Sequence, residues 1–279
     1  MKETGCPRRT NRLLIDGNLL TGDPTVTPSG RPNGFGGAGI LAGVEGRGAG
    51  NFDITNNGTA ASPITNVGTH GIATGNSGSS TVDYLIENNR ISANNFEEGA
   101  GGIRSASDKH IMVGGTTLAT PTLNTIINNN VVRNTTGIGI RVLAASSNGT
   151  ANVKVTNNDV ANGGAGTPPI DIGNGSSADA TFSHTMCATI SGNTTAANAP
   201  SGGGNTFPGI LLSKRFTTAT QYPFGITGLS PSPSTNANTE AYVTGLNPNL
   251  SIGGGFYAGK RVAVNVGDNF TSCTHPAGF

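Results

Sequence analysis

Apolar and polar residues alternate with period two through several short runs, among them Val82-Asp83-Tyr84-Leu85-Ile86 and Val153-Lys154-Val155. This is the signature of strands with one buried face. The runs end in one pattern, Ile or Val, any residue, Gly or Asn, then Asn. It occurs as Ile15-Asp16-Gly17-Asn18, Ile54-Thr55-Asn56-Asn57, Ile86-Glu87-Asn88-Asn89, Ile127-Asn128-Asn129-Asn130, Val155-Thr156-Asn157-Asn158 and Ile190-Ser191-Gly192-Asn193. After a polar loop a second short apolar strand follows, at Ile40, Ile72, Ile103, Ile140, Ile170 and Ile210, preceded in all but one case by Gly. The final Asn recurs every 28 to 41 residues, within the range of solenoid units. The pattern predicts stacked coils in which Ile15, Ile54, Ile86, Ile127, Val155 and Ile190 form one inward column. Asn18, Asn57, Asn89, Asn130, Asn158 and Asn193 then form a column at a sharp corner. Asn suits that corner because it tolerates left-handed backbone and because stacked amides bond to one another. The column is expected to be structural, with an exposed Asn row that binds a glycan as the alternative.

Composition supports strands and removes other classes. The 279 residues include 44 Gly, 36 Thr and 32 Asn but no Trp, and only 11% are charged, which favours short strands and turns over helices. A net charge of +1 with 5% aromatic residues gives nucleic acid neither an electrostatic footprint nor a stacking surface. No apolar run approaches the roughly 18 residues of a membrane helix. The start, Met1 to Leu14, is basic without a following apolar segment, so neither a membrane span nor an export signal is expected within this sequence. Lys2, Arg8, Arg9 and Arg12 read as a solvated arm.

The recurring Asn-Asn and Gly-Ile pairs between Leu13 and Leu212 resemble those of right-handed parallel β-helix proteins, the pectate-lyase-like solenoids. The closer resemblance is to large bacterial surface proteins built of strand repeats. Cys187 to Asn193, Gly209 to Leu212 and Thr271 to Thr274 are similar to the end of the solenoid in that group. The resemblance implies an all-β fold, a right-handed parallel β-helix of about six rungs with a C-terminal cap. It carries little chemistry and implies no cofactor. Residues 1–12 are expected to be a poorly ordered arm, 13–212 the β-helix and 213–279 a non-repeat cap. Pro223, Pro231 and Pro233 interrupt this last segment, which offers a short helix capped by Thr235 or Asn236 and ending near Gly245, then a last strand over Lys260 to Val266. Nothing before Leu13 reads as a cover for the first coil, so its edge is expected to be open and the chain to begin inside a longer solenoid.

Three cysteines leave one over. Cys6 lies in the arm, so Cys187 and Cys273 are the expected disulfide, which also implies an oxidising, extracellular or cell-surface location. Two other readings stay open: free thiols, and a zinc site of His184, Cys187, Cys273 and His275. Catalytic chemistry is sparse. Asp53, Asp83, Glu87, Asp159 and Asp171 lie on or beside strands, Asp171 pointing to solvent by alternation, while Glu97 and Glu98 sit in a loop. The Asp pair and Gly-His-Gly associated with pectinases are missing, as are a phosphate loop and a nucleophile elbow. The expected function is a non-enzymatic surface or secreted module, a stalk or adhesin whose loops or one face bind a glycan or a cell-surface protein. The alternative is a carbohydrate-active β-helix enzyme or a fragment of one.

Overall fold

A computed structural model describes residues 12–22, 37–93, 101–109, 111–113, 116–118, 120–145, 147–161, 166–175, 183–196, 207–214, 223–265, 270–276 and 279. Cys6, Glu97, Glu98 and all of the expected arm except Arg12 lie outside the described residues. The alternating runs form three all-parallel sheets, and the chain is a parallel β-helix. Sheet A has eight strands: Arg12–Asp16, Ala49–Thr55, Thr81–Glu87, Thr122–Asn128, Thr150–Thr156, Thr185–Ser191, Phe224–Thr227 and Thr271–Cys273. Sheet B has five short ones, from Ile64–Thr65 to Thr194–Thr195. Sheet C has seven, from Ile40–Val44 to Val262–Asn265. The second to sixth coils each visit A, B and C in turn. The antiparallel pair Ile111–Val113 and Thr116–Leu118 follows the third coil as a separate two-stranded sheet.

Register places the core. On sheet A the pairs Ile15 with Ile54, Ile54 with Ile86, Ile86 with Ile127, Ile127 with Val155 and Val155 with Ile190 make one continuous column. All but Ile15 are fully buried, Ile15 being in the first coil with no described rung beyond it. Sheet C contributes a parallel column of Ile40, Ile72, Ile103, Ile140, Ile170, Ile210 and Val262. Burying each such side chain stabilises by about 1.5–3 kcal/mol, and stacking like on like keeps the period-two pattern from slipping. The residue before this column meets the side chains of sheet B. A Cβ on Gly102 would stand 2.2 Å from Val132 Cγ1 and 2.6 Å from the Gly139 carbonyl oxygen. Gly102→Ala should therefore destabilise by about 1–3 kcal/mol as an overpacked core change, measurable by chemical denaturation. An unchanged midpoint would mean that sheets B and C are less tightly apposed.

The corner after sheet A divides its two demands between adjacent residues, which corrects the expectation that one Asn meets both. Positive φ belongs to Gly17, Asn56, Asn88, Asn129, Asn157 and Gly192, at 51° to 68°. The following Asn instead forms a directional amide ladder. Asn57 Oδ1 accepts from both the backbone N and Nδ2 of Asn18, at 3.0 and 2.9 Å, and the same pair of bonds links Asn57 to Asn89, Asn89 to Asn130, Asn130 to Asn158 and Asn158 to Asn193. Each amide from Asn57 onward also donates to the carbonyl of the Ile or Val column one coil back, as Asn130 Nδ2 does to Ile86 O at 2.9 Å. From Asn57 onward these amides are buried and satisfied.

The sheets do not stop at Leu212. Phe224–Thr227, Val262–Asn265 and Thr271–Cys273 continue sheets A and C, so the strand after Lys260 is not the last. Between them the helix Asn236–Leu246 starts at Thr235, whose Oγ1 accepts from Asn238 N, and ends at Asn247. Asn247 is a seventh member of the ladder: its Oδ1 accepts from Asn193 N and Nδ2, and its Nδ2 donates to Ile190 O. The helix thus replaces one strand and turn without breaking the column. Val264 N donates to Glu240 Oε1, Ser234 N to Phe270 O and Ser272 N to Ser232 Oγ, so two backbone donors on the last strands and the Phe270 carbonyl beside them have partners.

Candidate functional site

Alternation that buries one face of sheet A turns the other outward, and the same register stacks its polar residues in columns. Asn152 Nδ2 donates to Asn124 Oδ1 at 2.8 Å, and Asn124 Nδ2 to Asp83 Oδ1 at 2.6 Å. Beside it Thr156 Oγ1 donates to Asn128 Oδ1, and Asn128 Nδ2 to Glu87 Oε1. Between these columns run Asp53, Leu85, Ile126, Lys154 and Thr189. Asp53, nearly buried, is ion-paired with Arg12. A depression of about 550 Å³ opens here, with Leu85 and Ile126 in its lining, Asp53, Asp83 and Asn124 among its polar groups, and Phe279 at one end.

The end of the chain lies back over this face. Cys273 is bonded to Cys187, with Cα atoms 5.9 Å apart. His275 Nε2 is 3.0 Å from Thr189 Oγ1, and Lys154 Nζ donates to Phe279 O at 2.6 Å while standing 4.7 Å from the centre of its ring. The paired sulfurs are not thiolate ligands, so the zinc reading gives way. Its histidines are also apart, His275 on the outer face and His184 fully buried with Nε2 3.4 Å from Ser107 Oγ.

A second polar group lies on the outer face of sheet C. Arg104, Arg141 and Asp171 are successive partners there, and Ser213 Oγ donates to Asp171 Oδ1 at 3.2 Å. Asp171 is buried at 3% exposure, against the expected solvated position. Alternation correctly turns it out of the coil, but this outer column is itself covered, since Leu211 and Ala263 beside it are also buried. The stacked arginines escaped the sequence reading, although both directly follow a column Ile and so had to share a register.

Burial holds the imidazoles of His70, His184 and His275 down at about 4, helped by Arg104 and Arg141 at His70 and by Lys154 at His275. Unfolded imidazoles take up protons near 6.5. Between about pH 6.5 and 4 the unfolded chain therefore binds more protons, and stability falls with pH through that window and is restored above it. For His184, the most enclosed, the loss approaches about 3 kcal/mol. Thermal midpoints should fall from pH 7 to 4.5, and His184→Asn should flatten the profile; an unchanged slope in that variant would place the proton uptake elsewhere.

Comparison with family models, with curated proteins and with solved structures finds no match for this chain. The fold defines its class: a parallel β-helix solenoid tied at its C-terminal end by a disulfide. Among the described residues, no helix is long and apolar enough to cross a membrane.

Proposed function

We propose that this chain is a non-enzymatic module of an extracellular or cell-surface protein, a stalk or adhesin that presents the outer face of sheet A to a glycan or a surface protein. The observation that supports this is the commitment of six strand carboxylates to structure. Asp16 accepts from Thr55, Asp53 pairs with Arg12, Asp83 accepts from Asn124 and Glu87 from Asn128, Asp159 pairs with Arg133, and Asp171 accepts from Ser213. General acid–base work needs a carboxylate turned to the reacting bond and free to exchange a proton. The disulfide supports an oxidising compartment, and the resemblance to bacterial surface proteins points the same way. One observation favours the second reading, a carbohydrate-active enzyme: Asp53 and Asp83 line the same depression. Incubation with pectin, alginate and similar polyanionic glycans tests the choice. Binding without product supports the module, and release of unsaturated or reducing ends overturns it.

A further inference from the structure

On the strands Thr81–Glu87 and Thr122–Asn128 the middle column of the outer face of sheet A is apolar. Leu85 and Ile126 are register partners there, both half-buried and both lining the depression of about 550 Å³. Polar columns stand on either side, Asp83 with Asn124 and Glu87 with Asn128. Outward residues lie about 7 Å apart along a strand, so a ring resting on Leu85 has a carboxylate to each side. Each carboxylate gives one oxygen to the structure, Asp83 Oδ1 to Asn124 Nδ2 and Glu87 Oε1 to Asn128 Nδ2, both at 2.6 Å. Among the described residues nothing else donates to either side chain, which leaves Asp83 Oδ2 and Glu87 Oε2 able to accept. The positive groups beside them are engaged, Arg12 by Asp53 and Lys154 by the carbonyl of Phe279, whose side chain closes one end of the depression.

These features select a class of ligand. Both strands are paired on each side, so their peptide groups are spent within the sheet, and a peptide laid on this face finds no strand edge to join. A ligand must bring hydrogen donors to the two carboxylates and an apolar surface to Leu85, Ile126 and Phe279. A pyranose does both, with hydroxyls around its rim and C–H groups on its faces. Charge then decides between kinds of sugar. A uronate places its carboxylate among Asp53, Asp83 and Glu87 where Arg12 and Lys154 already have partners, and like charges brought together cost free energy. We infer that the depression on sheet A takes a neutral glycan, with its ring faces over Leu85 and Ile126 and its hydroxyls donating to Asp83 and Glu87. Coils repeat about every 4.8 Å, so a linear chain running along the solenoid meets an apolar side chain on each of these two coils. The inference rests on the role proposed for this face and narrows its ligand to one class.

The probes are cellohexaose and mannohexaose, each set beside the uronate oligomer of the same linkage and length, so that only the group at C6 differs. Binding to the full chain is measured at low salt by titration calorimetry and saturation-transfer NMR. At least one neutral oligomer should bind at millimolar concentration or below, and about tenfold more tightly than its uronate counterpart. The gap should narrow at high salt. Asp83→Asn should weaken the neutral oligomer about tenfold and remove most of the preference, since it takes away both an acceptor and a charge. Phe279→Ala is a second variant that should weaken binding while leaving the preference in place, with circular dichroism confirming intact strands in both. Three results overturn the proposal: uronates bound as tightly as the neutral oligomers, no binding of any probe at millimolar concentration, or affinities unmoved in both variants. The module reading fails separately. Uronates bound more tightly and left uncut overturn the neutral class while the module stands, and a neutral oligomer that is bound and shortened keeps the class and overturns the module.

Discussion

Asn130→Ala is expected to lower stability by about 3–6 kcal/mol, a large loss for a change that removes only a side-chain amide. Asn130 Oδ1 accepts from Asn89 N and Nδ2, and its Nδ2 donates to Ile86 O and Asn158 Oδ1, all buried. Alanine strands these groups where water does not reach, and each unsatisfied buried group costs about 1–3 kcal/mol. For a chain of this size the melting midpoint should drop by roughly 10 °C or more. Asn130→Asp should be at least as harmful, because a carboxylate cannot donate to Ile86 O or Asn158 Oδ1. The neighbour behaves differently. Asn129 has φ of 51° and an exposed side chain bonded to Asn88, so Asn129→Gly keeps the corner and should change stability by about 1 kcal/mol or less. Equal losses at the two positions would show that corner geometry, and not the amide ladder, sets the need for Asn.

That division of labour marks how far the sequence could be read. The inward column and the Asn positions were legible because burial imposes a strict register, and a side chain repeated at one place in each coil must stack. Which of the motif's two consecutive polar positions takes positive φ was marked by Gly17 and Gly192 at the first of them, a sign obscured because Asn fills that position in the other four coils and is acceptable for both roles. Asn247 was hidden for a different reason: it follows the helix Asn236–Leu246, and Gly245-Leu246-Asn247 carries one residue more than the motif allows. Asp171 was misread because alternation reports which side of a sheet a residue faces and not whether that side is covered. The polar interior was equally silent. Asn76, Ser107, Asn174 and His184 are buried inside the coil near the turn from sheet C to sheet A, where Asn174 Nδ2 donates to the carbonyls of His184 and Pro223. Polar residues here satisfy backbone groups at a bend, a need that arises only once the coil closes.

One covalent bond ties the segment 271–279 across the outer face of sheet A, and cutting it is expected to have a large effect on that segment while the sequence stays intact. Cys187 and Cys273 are separated by 86 residues, and in the loop-entropy model a closure of that length stabilises by about 4–5 kcal/mol. The bond crosses the strand Phe224–Thr227 above Gly225, where a Cβ would lie 2.6 Å from Cys273 Cβ and 2.9 Å from its Sγ. Reduction, or Cys187→Ala with Cys273→Ala, removes the tether that keeps Thr271–Cys273 on sheet A, and with it the seat of His275 on Thr189 and of Phe279 on Lys154. The loss should be local first: amide exchange should rise over 270–276 and in the helix, while the strands around Val153 stay protected. Thermal unfolding of the reduced chain should then separate into an early transition of the C-terminal segment and a later one of the coils. Gly225→Ala should reproduce part of this under oxidising conditions by crowding the bond, leaving a labelled fraction of Cys187 and Cys273. If oxidised and reduced protein melt together and exchange alike, the packing of the last coils holds the segment without the bond, and the disulfide is not what fixes the end of the chain across sheet A.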